Sequence, residues 1–386
     1  MTQAIDPLTV YYASIGAALS WFDINVDQAT LAKRGTVTLP ANVQYAWPHP
    51  SRRTLYVVSS SGGPGIAGHA HFASALSIDP QTGALRPFGD PVRLPSRPIH
   101  TCVDAKGEFL LIAYNDPSNV TVHPIVADGT IGAAVAQPAK LETGIFAHQI
   151  LVAPGNRIVL LVTRGNNAGG GKPEDPGAIK TFGFDNGVLT NLASISPGNG
   201  LGFGPRHLDF HPSEPWVFIS VERQNKLYVY KRDAVSGLSR APLFIKDTLS
   251  DPASAAPQGT GAIHVHPNGR FVYVTNRTFP ASGPGARVIA PGGENSVAVF
   301  TIDQTTGEPH LIQNIDGRGI QLRTFGIEPA GRMLVAASIL SAADGTLPAG
   351  ITVMRIADDG RLSLVRKYDV DVGSDQQFWS GMITLG

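Results

Sequence analysis

GFGPRHLDFHPSEPWVFISVERQNKLYVYKR, residues 202–232, is the stretch from which the fold is read. A short apolar segment runs into a His-Pro turn, the continuous apolar run WVFISV follows, and after a polar break comes the alternating KLYVYKR. Val, Ile, Phe and Tyr in such runs favour pleated strands, while Pro, Ser and Asn supply the breaks between them. The segment therefore reads strand, turn, strand, break, strand.

The same order returns along the chain at a spacing of roughly 50 residues, within the range of propeller blades. Turn and second strand recur as HPSRRTLYVVS (49–59), DAKGEFLLIAY (104–114), APGNRIVLLVT (153–163), HPNGRFVYVTN (266–276) and EPAGRMLVAAS (328–338). Third strands follow in NVTVHPI (119–125), NSVAVFTID (295–303) and ITVMRIA (351–357). Turns such as DPQTGAL (79–85), ADGTIG (127–132), DNGVL (185–189), DQTTGEP (303–309) and DDGRL (358–362) then lead to a fourth strand, Gly supplying the positive φ of a tight hairpin. One copy is split: YYASIGAALSWFDIN (11–25) lacks a first strand, which FWSGMITL (378–385) supplies. The expectation is an all-β, seven-bladed β-propeller over residues 1–386, one domain closed by strands from both termini, which removes exposed sheet edges. Six or eight blades are compatible with the same repeat.

Composition agrees. Gly 43 and Pro 30 with only 16% charged residues suit many short strands better than long solvated helices. Lys+Arg and Asp+Glu are both 30, which argues against nucleic acid or an anionic membrane as partner, since both require a basic field. Cys102 is the single cysteine, so no internal disulfide forms, and MTQAIDPLTVYYASIG shows no basic segment leading into an apolar core. A cytoplasmic protein is expected. Three Gly/Pro-rich excursions, 59–72, 164–178 and 277–295, fall between second and third strands and so on one rim, as lids or as plain surface insertions.

Strands alternate in direction, so first-strand starts and second-strand ends share one end of the barrel. Polar residues collect there. First-strand starts carry His100, His148, Arg206, His207, His264 and Arg323; second-strand ends carry Tyr114, Asn115, Arg164, Glu222, Asn276 and Arg277. His49, His211 and His266 precede Pro and read as turn fixtures at the opposite end. The result is a basic funnel around one carboxylate, suited to an anionic substrate because Arg offers fixed paired donors.

At these residues the chain resembles the lactonase family of seven-bladed propellers, which includes bacterial 6-phosphogluconolactonases and fungal carboxy-cis,cis-muconate cyclase. The most specific segments are GFGPRHLDFHPSEPWVFISVERQ (202–224) and IHVHPNGRFVYVTNRT (263–278). The resemblance implies a catalytic set of His148, Arg206, Glu222 and Arg277, with His100 and Arg323 as binding residues; Arg164, Asn276 and Tyr114 join the binding set from their places at second-strand ends. The long loops and QLRTFGI (321–327) depart from the family's compact sugar-phosphate enzymes.

For that set the leading expectation is a metal-independent lactonase, with no cofactor, acting on an anionic sugar or aldonic lactone. His148 would be the base for water, and Glu222 would orient it or carry the second proton. A cycloisomerase making a muconolactone from a carboxymuconate, in aromatic rather than carbohydrate catabolism, uses the same four residues. A non-catalytic binding platform is the third reading, since fold alone does not fix function. The run GNNAGGGKP (165–173) fails as a phosphate loop because Asn166 and Pro173 replace required residues, no G-x-S-x-G elbow occurs, and His69 and His71 lack a third metal ligand.

Overall fold

A computed structural model describes residues 8–279, 281–282, 287–289, 292–342 and 344–385. Seven sheets, antiparallel but for one added pairing in the seventh, follow one another around a central channel. The second strands show why the ring forms. Thr54–Ser60, Trp216–Val221 and Phe271–Thr278 are buried along almost their whole length, because neighbouring blades cover both faces. Outer strands such as Leu85–Arg93 and Leu362–Asp369 are largely exposed instead. Burial at about 25 cal/mol per Å² of apolar surface makes these inter-blade seams the main source of cohesion.

The ring closes as the repeat predicts. Ser380–Thr384 lies innermost in the first blade, paired with Thr9–Ile15, which is followed by Ala18–Asn25 and Thr30–Thr38. Tyr11 faces Met382, and the Ser14 amide donates to the Trp379 carbonyl at 2.9 Å. Blade three departs from expectation. It has three strands, Pro98–Val103, Phe109–Asn115 and Ser118–Pro124, and after ADGTIG only an isolated Ile125–Ile131 bridge. The following GAAVAQPAK (132–140) is poor in β-branched and aromatic residues and carries a proline, so no regular fourth strand forms.

Turns at the rear face latch four pairs of neighbouring blades together. His49 Nε2 meets the Gly107 carbonyl at 3.1 Å, His211 Nε2 the Gly269 carbonyl at 2.8 Å, and His266 Nε2 the Gly331 carbonyl at 2.9 Å. Each accepting glycine has positive φ, and a Cβ there would lie 2.6 Å or less from the ring it receives. Only glycine combines that backbone with so close an approach. Asp104 plays the same part differently, accepting from Asn156 Nδ2 at 2.8 Å.

All three long excursions leave from the front end. Residues 164–178 are tied down: Asn166 Nδ2 donates to Asp175 at 3.0 Å, and Glu174 pairs with Arg223. The 277–295 excursion lies partly outside the described residues, but its Arg287–Ile289 segment runs parallel to Met333–Ala342 of blade seven. It thus bridges two blades.

Candidate active site

The innermost strands of six blades share one irregularity. Their pairing with the second strand slips between Val43 and Tyr45, Pro98 and His100, Ala147 and Gln149, Pro205 and His207, Thr260 and Ile263, and Leu322 and Thr324. A β-bulge adds an unpaired residue, bends the strand and re-aims the side chain. The residues so released include Gln44, His148, Arg206 and Arg323. A layer of functional groups therefore arises from one backbone device repeated around the ring.

Glu222 is the hub. It follows the strand Trp216–Val221 in a short 3-10 turn closed by Asn225 in the left-handed region, and its amide donates to the Gly204 carbonyl at 2.8 Å. Its carboxylate pairs with Arg277, accepts from Arg164 Nη1 at 3.1 Å, and lies 3.6 Å from Arg206 Nε. Gly259 allows this approach, since a Cβ there would stand 2.8 Å from Glu222 Cγ. Burial pushes the Glu222 pKa up, but Arg277, Arg164 and Arg206 together more than offset it and leave it at about 2. Of the two roles expected of Glu222, this favours orienting its neighbours over carrying a proton.

Arg206 is wholly buried, yet Nε, Nη1 and Nη2 have no hydrogen-bond partner among the described residues. Burial lowers its pKa, helped by Arg277 and opposed by Glu222. A guanidinium remains charged even so. Buried unpaired donors are costly and rare, which marks them as groups held ready for a ligand or solvent. His148 Nδ1 and Arg277 Nε are unpartnered in the same way. Burial first, then the charge of Arg206 and the neighbouring His207, pull the His148 pKa well below the ordinary histidine value.

Aromatic rings fix the guanidinium planes. Arg164 stands 4.3 Å over Phe146, Arg277 5.5 Å over Phe279, and Arg323 3.6 Å over Phe378. Such stacking contributes roughly 0.5–2 kcal/mol each and orients the donors. The Phe378 ring also serves Arg97, at 5.7 Å, whose Nε donates to Gln44 at 2.9 Å. Burial lowers the Arg97 pKa to about 10. Sequence reasoning missed Arg97 and Gln44, although Arg97 immediately precedes the first strand Pro98–Val103 and fits the rule that located Arg206.

The other residues singled out in sequence fall elsewhere. His100 lies one layer below the bulged residues, its ring 3.9 Å from Tyr45 and both nitrogens unpartnered among the described residues. Tyr114 packs among Tyr56, Val58 and Ile112 between blades two and three, and its hydroxyl bonds Thr121 at 2.7 Å. Asn276 directs Nδ2 to the Thr248 carbonyl at 2.8 Å and to Ser296 at 3.1 Å, so its amide binds elements of blades five and six together. Both alternate away from the channel because successive strand residues face opposite sides. His264 sits near the far end of Gln258–Val265, by the rear face, where Nδ1 meets Asp209 Oδ2 at 3.3 Å. His71 Nδ1 and the Ser60 hydroxyl share a hydrogen bond at 2.8 Å, and no group of three potential metal ligands occurs among the described residues.

Comparison with known proteins decides the family: residues 8–374 match the family described as "Lactonase, 7-bladed beta-propeller". The chain belongs to the seven-bladed β-propeller lactonases. Among its relatives, the 6-phosphogluconolactonase of Bacillus subtilis is 26% identical over 345 residues, covering 88% of this chain and 89% of the relative. That of Pectobacterium carotovorum is 30% identical over 330 residues, covering 80% and 90%. In fold, this propeller lactonase is similar to the periplasmic gluconolactonase of Pseudomonas aeruginosa, with TM-score 0.74 and 19% identity over 98% of this chain and 100% of that one.

Proposed function

We propose that the chain hydrolyses a small anionic sugar lactone of the 6-phosphogluconolactone type at the front mouth of the channel, without a metal. The observation that carries this reading is Arg206: a fully buried guanidinium with three unpartnered nitrogens, beside a carboxylate already claimed by Arg164 and Arg277. Arg164, Arg206, Arg277 and Arg323 gather around Glu222, with Arg97 beside Arg323, an excess of positive charge that favours an anion. The names of the relatives support the sugar class.

The chemistry follows from the side chains. Arg206 and its neighbours hold the substrate's anionic group and offset charge on the carbonyl oxygen as water adds. His148, held unprotonated near neutral pH by burial and Arg206, accepts a proton from the attacking water. The ring carbon–oxygen bond then breaks, and the ring oxygen takes a proton from His148. Glu222 stays ionised throughout and positions Arg277 and Arg164.

The test is a panel of 6-phosphogluconolactone, unphosphorylated aldonolactones and carboxymuconates, assayed with and without a chelator. Chelator-insensitive hydrolysis, fastest on the phosphorylated lactone, is the expected result. Cyclisation of a carboxymuconate in place of hydrolysis, loss of turnover with chelator, or no turnover on any substrate overturns the reading.

A further inference from the structure

We propose that His207 passes the proton released in each turnover from His148 to the rear half of the channel, away from the arginine-lined mouth. The inference rests on the lactonase reading above and adds to it a route for the proton. Water adds to the lactone carbonyl through its oxygen, the ring carbon–oxygen bond breaks, and the alcohol formed keeps one proton of that water. The other comes from the new carboxylic acid, which ionises by giving it to His148, free again once its first proton has gone to the ring oxygen. One proton must therefore leave the buried site per cycle.

The front mouth is a poor exit. A cation leaving there passes Arg164, Arg206, Arg277 and Arg323, and like charges repel strongly where water is scarce. Rearward, the His207 ring centroid is 5.2 Å from that of His148. His207 is itself a lining residue of a rear cavity of about 490 Å³, together with Tyr45, Trp47, His264, Phe325 and Trp379. That volume holds several waters. The cavity wall also includes Asp104, and His264 pairs with Asp209 at 3.3 Å, so anionic groups stand at the exit; Arg52 is the cation on that rim.

The His207 ring is built for transfer rather than for bracing. Its backbone bonds Ser220, but the ring makes no hydrogen bond among the described residues, whereas the rings of His49, His211 and His266 are all engaged in latches. The groups around it are His100, His148, Arg206, Arg323 and His264. Burial, then Arg206, lower its pKa, so it stands unprotonated at rest and would hold a proton only in passing. The register slip between Pro205 and His207 explains how Arg206 and His207, adjacent in sequence, serve the two halves of one channel.

The test compares the parent with His207→Phe and His207→Ala on 6-phosphogluconolactone, or on whichever lactone the panel shows is turned over. The expected result is a kcat lower by about ten-fold or more at unchanged KM, with rates in His207→Ala restored by added imidazole and rising with buffer concentration. The parent should show neither dependence. A His207→Phe kcat equal to the parent's overturns the relay, as does a loss that imidazole and buffer leave unrepaired in His207→Ala. A parent inactive on every lactone sinks the lactonase reading itself, a result distinct from either.

Discussion

The two ends of the channel use the same residue type in opposite ways. At the rear, His49, His211 and His266 each spend a ring nitrogen on the glycine carbonyl of the following blade. At the front and middle, His100 has neither nitrogen partnered among the described residues and His148 Nδ1 is likewise unpartnered. A buried polar group with its bonds made is architecture; one without them carries a cost that stability alone does not explain. The difference teaches that satisfaction, more than burial or residue type, separates scaffold from site.

The sharpest break of this comparison is at Arg206. Replacing it by Met removes a buried charge whose donors are unpaired, so catalysis and stability should move in opposite directions. Loss of such donors costs about 10²–10³ in kcat. Removing a desolvated guanidinium of that kind should leave the melting temperature unchanged or raised. Steady-state kinetics beside calorimetry checks both, and a variant that loses both activity and melting temperature would make Arg206 part of the scaffold.

Glu222→Gln should do the reverse to stability. It leaves Arg164, Arg277 and Arg206 facing one another without their shared anion, and removing one partner of a buried pair typically costs about 3–5 kcal/mol. The pH dependence has a definite sign. The folded pKa of Glu222, about 2, lies below its ordinary value of 4.5, so its stabilising contribution is full above that ordinary value. It is lost progressively as pH falls through the window between them, because the unfolded chain binds the proton first. Denaturant titrations of parent and variant should therefore converge as pH falls through that window.

His148 predicts a smaller effect, on rate. Because burial and Arg206 keep its pKa well below the ordinary histidine value, kcat should stay level as pH falls through 6.5 and decline only further down. A kcat that falls with a midpoint at the ordinary value would place another base in the site.

Much of this was legible in sequence, for identifiable reasons. The seven blades and the closure by Ser380–Thr384 follow from a repeat whose second strands are continuous apolar runs. Arg206, Glu222 and Arg277 stand out because charged residues are rare beside such runs. The bulges were not legible: nothing in HQILV or RHLDF announces that one residue drops out of register. Tyr114, Asn276 and His264 were misplaced because position at a strand end was taken as enough: the first two alternate away from the channel, and His264 lies near the end of a strand that already begins at Gln258. Nor did the sequence give a reason to pair Arg97 with Gln44. The choice between the two roles expected of Glu222 was not legible either, since its protonation depends on three arginines drawn from different blades.

The mildest prediction sits at the opposite end of the comparison. His211→Ala removes a latch bonded on both sides, Nδ1 accepting from the Glu214 amide at 3.0 Å and Nε2 facing the Gly269 carbonyl at 2.8 Å. The stranded carbonyl and amide should cost about 1–3 kcal/mol, read as a shifted denaturation midpoint, while kcat and KM stay at parent values. Gly269→Ala attacks the same latch from the other side, because its Cβ would stand 2.6 Å from the His211 ring at a φ of +73°. If the two changes report one contact, the double variant should lose less than the sum of the singles. A drop in turnover in either single variant would mean that the rear latches shape the front site, and the division between the two ends would fail.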